Sequence, residues 1–241
     1  MTIPRIILLN ILFFLSLGTW AQDSPAGEWT VQGENPQGTA YQGELDIEAI
    51  SGDFYRLAWD VDYGEAEEQL TFPGTGFYRP SQNVMFAAYG IGNLRYGLCI
   101  YPLNEKGGLE GEGDWTSHRG IGSELLAGKL NRSSIVGTYE VVGTRSKGDV
   151  EIGASESYTG TLRISKRDDN IYVLKWFLGD GLPYSGFAYK TNGYLIGVWG
   201  VGSSYGLEKY EFSEDMQTAE ATWISPNNGL DATGQETIER Q

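Results

Sequence analysis

Residues 41–59 read YQGELDIEAISGDFYRLAW, and residues 158–176 read YTGTLRISKRDDNIYVLKW. The two stretches share seven residues at a constant offset, and all seven lie on alternate positions. Side chains in a strand point to opposite faces with a period of two, so the matches predict the same hydrophobic face on two copies of a strand pair. The matched residues of the first copy are Tyr41, Gly43, Leu45, Ile47, Tyr55, Leu57 and Trp59.

Further short runs of alternating polar and apolar residues surround both stretches, separated by turn residues. The run Gly27–Gly33 corresponds to Gly137–Gly143, and Tyr96–Tyr101 corresponds to Tyr205–Tyr210. Each copy holds about eight such runs, a spacing typical of all-β barrels and sandwiches. The 34 glycines among 241 residues are about twice the usual share, which suits tight turns between short strands. We therefore predict an all-β protein.

The outward face of the second strand decides between the possible all-β architectures. Glu44, Asp46 and Glu48 occupy that face in the first copy, and such charges cannot face lipid cheaply. The repeated aromatic face is then the core, and eight strands leave two open edges unless the sheet closes. We predict two tandem eight-stranded antiparallel up-and-down barrels, with two-sheet β-sandwiches as the alternative.

The first 21 residues have the features of a secretory signal peptide. Arg5 supplies a positive charge, residues 6–17 are mostly apolar, and Ala21 ends a short segment suited to cleavage before Gln22. The apolar run is shorter than the roughly 20 residues that a membrane-spanning helix needs. We expect a cleaved signal peptide, no membrane insertion, and a secreted or periplasmic protein.

The rest of the chain is expected to divide between the two copies. Residues 22–130 would form the first barrel and residues 131–241 the second. The formal net charge is −15, and a negative field of this size repels nucleic acid and anionic lipid. The expected partner is therefore a protein or a small molecule, with its identity and the oligomeric state left open.

Few residues are suited to catalysis or metal binding. Cys99 is the only cysteine and His118 the only histidine, which excludes an internal disulfide and argues against ordinary His-ligated zinc. We expect Cys99 to lie buried in a strand. Glu124 and Glu236 recur at equivalent places, and we expect a structural role for both, in capping a turn or accepting backbone hydrogen bonds at the barrel end. We predict no catalytic residue, no metal and no cofactor.

Aromatic side chains are the best candidates for a ligand site. Pockets lined by aromatic rings with a few polar groups suit small apolar or sugar-like ligands. The same side chains could instead simply fill the barrels. The candidate lining residues are Trp29, Tyr41, Trp59, Trp115, Tyr139, Tyr158, Trp176 and Trp223.

Both copies follow the pattern G-x-[WY]-x-V-x-G, then Y-x-G-x-L-x-I, then Y-x-L-x-W, and end with G-x-E. This resembles a recurring secreted bacterial repeat labelled fibronectin-binding-like. The architecture also resembles the lipocalin and avidin group, the calycins, whose first strand carries G-x-W as at Gly27–Trp29. Avidin-type barrels continue with a biotin-binding asparagine, whereas this chain has Thr30 and Val31, and the T-D-Y signature of lipocalins is not found. Biotin binding is therefore not carried over.

Three functional hypotheses follow. The first is an exported non-catalytic binding or interaction protein, with partner contacts on the loops Thr144–Ser157 and Trp115–Gly122. The second is a carrier of a small hydrophobic or sugar-like ligand, which requires a cavity lined by Trp59 or Trp176. The third is a carbohydrate-active enzyme with acidic residues on its loops.

Overall fold

The computed structural model of the protein describes residues 24–64, 69–92, 95–118, 120–127, 133–145 and 157–241. The expected signal peptide, residues 1–21, and most of the loop Thr144–Ser157 lie outside the described residues. Within those residues, no helix combines the length and the apolar character needed to cross a bilayer.

Strands make up nearly all of the regular structure, and the all-β prediction is confirmed. Two short 3-10 helices, Pro80–Gln82 and Pro226–Asn228, are the other regular elements of the described residues. The strands are β1 (Gly27–Glu34), β2 (Ala40–Ser51), β3 (Phe54–Asp62), β4 (Gln69–Arg79), β5 (Val84–Gly90), β6 (Tyr96–Pro102), β7 (Glu112–Ser117), β8 (Gly120–Ala127), β9 (Gly137–Arg145), β10 (Ser157–Lys166), β11 (Ile171–Leu178), β12 (Pro183–Thr191), β13 (Tyr194–Val201), β14 (Tyr205–Phe212), β15 (Thr218–Ile224) and β16 (Thr233–Arg240).

The strands form two closed antiparallel barrels of eight strands each. The first barrel consists of β1–β5 followed by β14–β16, and it closes where β1 pairs with β16. The second barrel consists of β6–β13 and closes where β13 pairs with β6. Both are up-and-down barrels, as predicted. The sandwich alternative is wrong because neither sheet has an open edge.

The barrels do not coincide with the sequence repeats, so the expected division into residues 22–130 and 131–241 is corrected. The last three strands of the first repeat, β6–β8, complete the second barrel, and β14–β16 of the second repeat complete the first barrel. The repeats have thus exchanged three strands within one chain. At the two exchange points Gly90 pairs with Tyr205, and Gly200 pairs with Tyr96.

The predicted alternation of side chains holds along the strands that led the analysis. Leu45 lies opposite Trp59 in the β2–β3 pair, and Leu162 lies opposite Trp176 in the β10–β11 pair. All four side chains are buried, whereas Glu44 between the inward positions is exposed. The repeated hydrophobic face therefore forms the interior of each barrel, which is consistent with burial of apolar surface as the main source of stability.

A third hydrophobic cluster lies between the barrels, in addition to the two barrel interiors. It contains side chains from β5, β6, β12, β13, β14 and β15, including Phe86, Leu98, Phe187, Val198 and Leu207. Strand β4 makes two hydrogen bonds to the second barrel. Thr75 Oγ1 lies 2.7 Å from Thr116 Oγ1, and the Tyr96 hydroxyl donates to the Pro73 carbonyl at 2.5 Å. The barrels therefore pack against each other through a buried contact.

Candidate functional site

The eight candidate aromatic residues divide between the barrels according to the strand exchange. Trp29, Tyr41 and Trp59 share the first barrel with Trp223, whereas Tyr139, Tyr158 and Trp176 share the second barrel with Trp115. The expected division into residues 22–130 and 131–241 places Trp115 in the first barrel and Trp223 in the second. That grouping is wrong because β7 and β15, which carry these tryptophans, belong to the exchanged strands.

Trp29 and Tyr139 belong to the hydrophobic cores of the first and the second barrel, respectively. Trp29 is fully buried, packs its ring against Phe212 at 5.6 Å between centroids, and donates from Nε1 to the Pro25 carbonyl at 3.0 Å. The Tyr139 hydroxyl donates to the Ile135 carbonyl at 2.8 Å. Neither residue lines the two cavities described next, and their role as ligand contacts stays a prediction.

The second barrel contains the larger cavity, with a volume of about 420 Å³. Its lining is mainly apolar and aromatic, as in small-molecule sites of other proteins. The volume falls within the usual range for such sites, roughly 300–1,000 Å³. The lining residues are Cys99, Trp115, Glu124, Ser157, Tyr158, Thr159, Trp176, Leu178, Gly179, Asp180, Tyr184 and Trp199.

Glu124 is the buried acid of the second barrel, and three side chains donate to it. Tyr158 donates from its hydroxyl to Oε1 at 2.7 Å, Tyr101 donates to Oε2, and Trp176 Nε1 lies 3.4 Å from Oε2. Burial raises the pKa of Glu124, and these hydrogen bonds oppose that rise. The expected role of Glu124 in turn capping or backbone contact is therefore corrected, since its partners are side chains inside the barrel.

Trp115 presents an unused donor in the second cavity. Its Nε1 atom is buried and has no hydrogen-bond partner, although a buried N–H group normally finds one. The ring contacts Trp199 edge-on at 6.2 Å between centroids. Trp115 therefore adds an unsatisfied N–H group to the residues that line this cavity.

The first barrel contains a smaller cavity of about 240 Å³. Six aromatic side chains form much of its wall, and amide side chains of two turns lie at its mouth. Gln37 Nε2 donates across that mouth to Asn228 Oδ1 at 3.3 Å. The lining residues are Asn35, Gln37, Tyr41, Trp59, Val61, Tyr63, Phe72, Tyr89, Ile91, Glu208, Trp223, Ser225, Asn227, Asn228 and Glu236.

Glu236 repeats the arrangement of Glu124 in the first barrel. Tyr41 donates to Oε2 at 3.0 Å, and Tyr210 donates to Oε1 at 2.6 Å. The hydroxyls of these tyrosines in turn accept from tryptophans, Tyr210 from Trp59 Nε1 at 2.9 Å and Tyr41 from Trp223 Nε1 at 3.0 Å. Burial raises the pKa of Glu236 to about 7, so this acid changes charge near neutral pH. The turn-capping role expected for Glu236 is corrected in the same way.

Glu208 is a second buried acid in the first cavity, and sequence analysis did not identify it. It is 3% exposed, and its Oε1 atom has no hydrogen-bond partner. Burial raises its pKa well above the usual value, and the nearby Glu236 carboxyl raises it further. The sequence signal that could have identified Glu208 is a difference between the repeats. When Tyr101 is aligned with Tyr210, Glu208 corresponds to Cys99.

The remaining reactive groups do not form a catalytic set. Cys99 lies buried in β6, as expected, and burial raises the pKa of its thiol well above the usual value, whereas a nucleophile needs the thiolate. The His118 ring stacks on Tyr96 at 5.9 Å between centroids and does not line either cavity. In the part of the chain that the structure describes, no three His, Cys, Asp or Glu side chains cluster as metal ligands would.

No protein-family model matches the chain, and the searches of curated proteins and of solved structures returned no match either.

Proposed function

We propose that the protein is a non-catalytic binding protein whose two barrels each hold a small ligand. The observation that carries this proposal is the cavity of the second barrel, whose aromatic lining includes Trp115, a residue with an unpaired N–H group. The carrier hypothesis required a cavity lined by Trp59 or Trp176, and each tryptophan lines one. The ligand of the second barrel is a mostly apolar molecule that carries at least one hydrogen-bond acceptor.

Export through a cleaved signal peptide is part of the same proposal. It is supported by the residue pattern of Met1–Ala21. A secreted or periplasmic protein with two small-molecule sites would act as a carrier or scavenger of its ligands.

The proposal predicts a specific effect of removing the Trp115 donor. Trp115→Phe keeps an aromatic ring and removes the N–H group, so ligands with an acceptor should bind up to about tenfold more weakly, the equivalent of one hydrogen bond. Aromatic ligands without an acceptor should bind with little change. Tryptophan fluorescence and calorimetric titration of a panel of neutral aromatic compounds, paired with and without a carbonyl oxygen, measure both effects.

Phe177→Ala is the matched control, because Phe177 follows Trp176 in β11 and is 57% exposed on the outer surface. This variant should bind the panel like the wild type. Failure of every compound to bind the wild type would overturn the proposal. So would turnover of a bound compound that Glu124→Gln abolishes, since that result would indicate an enzyme.

A further inference from the structure

We propose that the cavity of the first barrel binds a small organic cation, such as a protonated primary amine, between its aromatic walls and the Glu208 and Glu236 carboxyl groups. This inference rests on the proposed function and specifies the ligand class of one of its two sites. It concerns a difference between the barrels that the repeated sequence pattern conceals.

The first argument is the unpaired oxygen of Glu208. The side chain is almost fully buried and lines the cavity, yet Oε1 accepts no hydrogen bond. Glu236, by contrast, already accepts from two tyrosine hydroxyls. A buried acceptor without a donor is costly, and an ammonium group carries three donors. A protonated amine would therefore supply what Glu208 lacks.

The second argument is the charge of the cavity. Among its described lining residues there are two carboxyl groups and no lysine or arginine. The protein therefore provides no positive charge there to balance the acids. Burial and mutual repulsion favour the neutral form of such a pair, and a cationic ligand would be the partner that allows it to ionise, since buried charges in proteins are normally paired.

The third argument is the aromatic wall. Tyr89 contacts Trp223, Trp59 and Phe72 at 6.1–6.3 Å between ring centroids, each in an edge-on arrangement. Aromatic faces attract organic cations through their quadrupoles, most strongly in a desolvated site. A metal ion is a poor fit for such walls, since hard cations prefer six or more oxygen ligands. The aromatic wall therefore favours an organic cation.

The second barrel shows the contrast. Cys99 occupies the place of Glu208 there, and Glu124, the one buried acid among the described lining residues of that cavity, already has three donors. The second barrel thus offers a donor, Trp115 Nε1, to a neutral ligand, and the first offers an acceptor to a cation. Two differences between the repeats, Glu208 in place of Cys99 and the unpaired N–H group of Trp115, thus give the two cavities opposite requirements.

The experiment compares benzylammonium with benzyl alcohol by calorimetric titration of the full-length exported protein at pH 7.5. The two probes have nearly the same shape, and only one is charged. We expect the wild type to bind benzylammonium at least tenfold more tightly than benzyl alcohol. Equal affinity, or no binding of benzylammonium, would overturn the inference even if neutral compounds bind the second barrel.

Glu208→Gln tests whether the preference comes from this carboxyl group. The variant keeps the shape and removes the charge, so it should lose the preference for benzylammonium by about tenfold and still bind neutral probes in the second barrel. Glu220→Gln removes an equal charge from the exposed face of β15 and should keep the wild-type preference. A preference that persists in Glu208→Gln would contradict the inference. The comparison of the two probes on the wild type needs no variant and decides the matter if Glu208→Gln fails to fold.

Discussion

Glu208 and Cys99 occupy equivalent positions in β14 and β6, and this single difference separates the chemistry of the two barrels. Both side chains are buried and both line a cavity. Two carboxyl groups in one buried site cannot both ionise easily, because burial and mutual repulsion favour the neutral form. The first barrel therefore holds a proton on this pair of acids near neutral pH.

This arrangement predicts how stability depends on pH. The pKa of Glu236 is about 7 in the folded protein and about 4.3 in an unfolded chain, so the folded state binds more protons between these values. The free energy of unfolding should therefore fall as the pH rises from about 5 to 8. Urea unfolding at pH 5, 6, 7 and 8 measures the fall, and Glu208→Gln should show a smaller one because one raised acid is gone.

The other titrating groups facing Glu208 and Glu236 do not change this sign. They are tyrosines whose pKa burial raises above the usual value, so they stay neutral throughout the range: Tyr41, Tyr63, Tyr89 and Tyr210. Burial raises the pKa of Glu124 in the second barrel as well, but Glu124 contributes equally to the wild type and the variant. A slope identical in the wild type and Glu208→Gln would show that the acid pair does not titrate in this range.

At the scale of the strand pair, each barrel places a tyrosine directly across from a glycine. Tyr41 pairs with Gly33 in β1–β2, and Tyr158 pairs with Gly143 in β9–β10. A Cβ atom added at either glycine would overlap the tyrosine ring. The glycines therefore allow the rings to lie flat over the neighbouring strand, which directs the hydroxyls towards Glu236 and Glu124.

Gly143→Ala tests this pairing. The added methyl group should displace the Tyr158 ring from Glu124 and destabilise the protein by about 1–3 kcal/mol, as overpacking does. Thermal and urea unfolding measure the loss. Gly179→Ala is the control for stability, since a Cβ atom there meets nothing within 4 Å. Equal stability of the two variants would mean that the ring adapts without cost.

The sequence predicted the strands and their inward faces, but it did not predict which repeat the last three strands of each repeat would pair with. The constant offset between Tyr41–Trp59 and Tyr158–Trp176 predicted the inward faces, because alternation is a local property of a strand. The exchange between repeats was not predictable in this way. Gly90 pairs with Tyr205, but the same residue types would meet if it paired with Tyr96. The local pattern is thus satisfied by both connections.

The candidate site was partly predictable for a related reason. The aromatic residues recur in both repeats, and six of the eight proposed line a cavity. Glu208 does not recur, so a search for matches passed over it. Its importance comes from burial beside Glu236 and from an unpaired oxygen, which depend on the closed barrel rather than on the alternating pattern.

At the scale of the whole molecule, the strand exchange connects two barrels that also share a hydrophobic cluster. Domain-swapped elements of this kind can in principle pair within one chain or between two. In the structure β1 pairs with β16, whereas unexchanged repeats would pair β1 with β8. Thr30 therefore pairs with a residue of β16 in the exchanged arrangement and would pair with a residue of β8 in the unexchanged one.

Engineered disulfides distinguish these arrangements. Thr30 lies opposite Glu239 in the β1–β16 pair, and both side chains are exposed, so the double variant Thr30→Cys/Glu239→Cys should form a disulfide within one chain. Thr30→Cys/Ala127→Cys should stay reduced, because Ala127 holds the equivalent position in β8 and pairs with Glu140 instead. Non-reducing electrophoresis and peptide mass mapping measure both outcomes. A linked dimer, or oxidation of the Ala127 variant alone, would contradict the intramolecular exchange.

In the order of the chain, the strands of the second barrel, β6–β13, lie between β5 and β14 of the first barrel. This order decides which barrel is completed first during synthesis. All eight strands of the second barrel have been made once Val201 has emerged from the ribosome, whereas the first barrel is incomplete until β16, which ends at Arg240, has been made. The first five strands of the first barrel, β1–β5, therefore lack their closing strands while the second barrel can already fold. The nascent chain thus completes the cavity of the second barrel before that of the first.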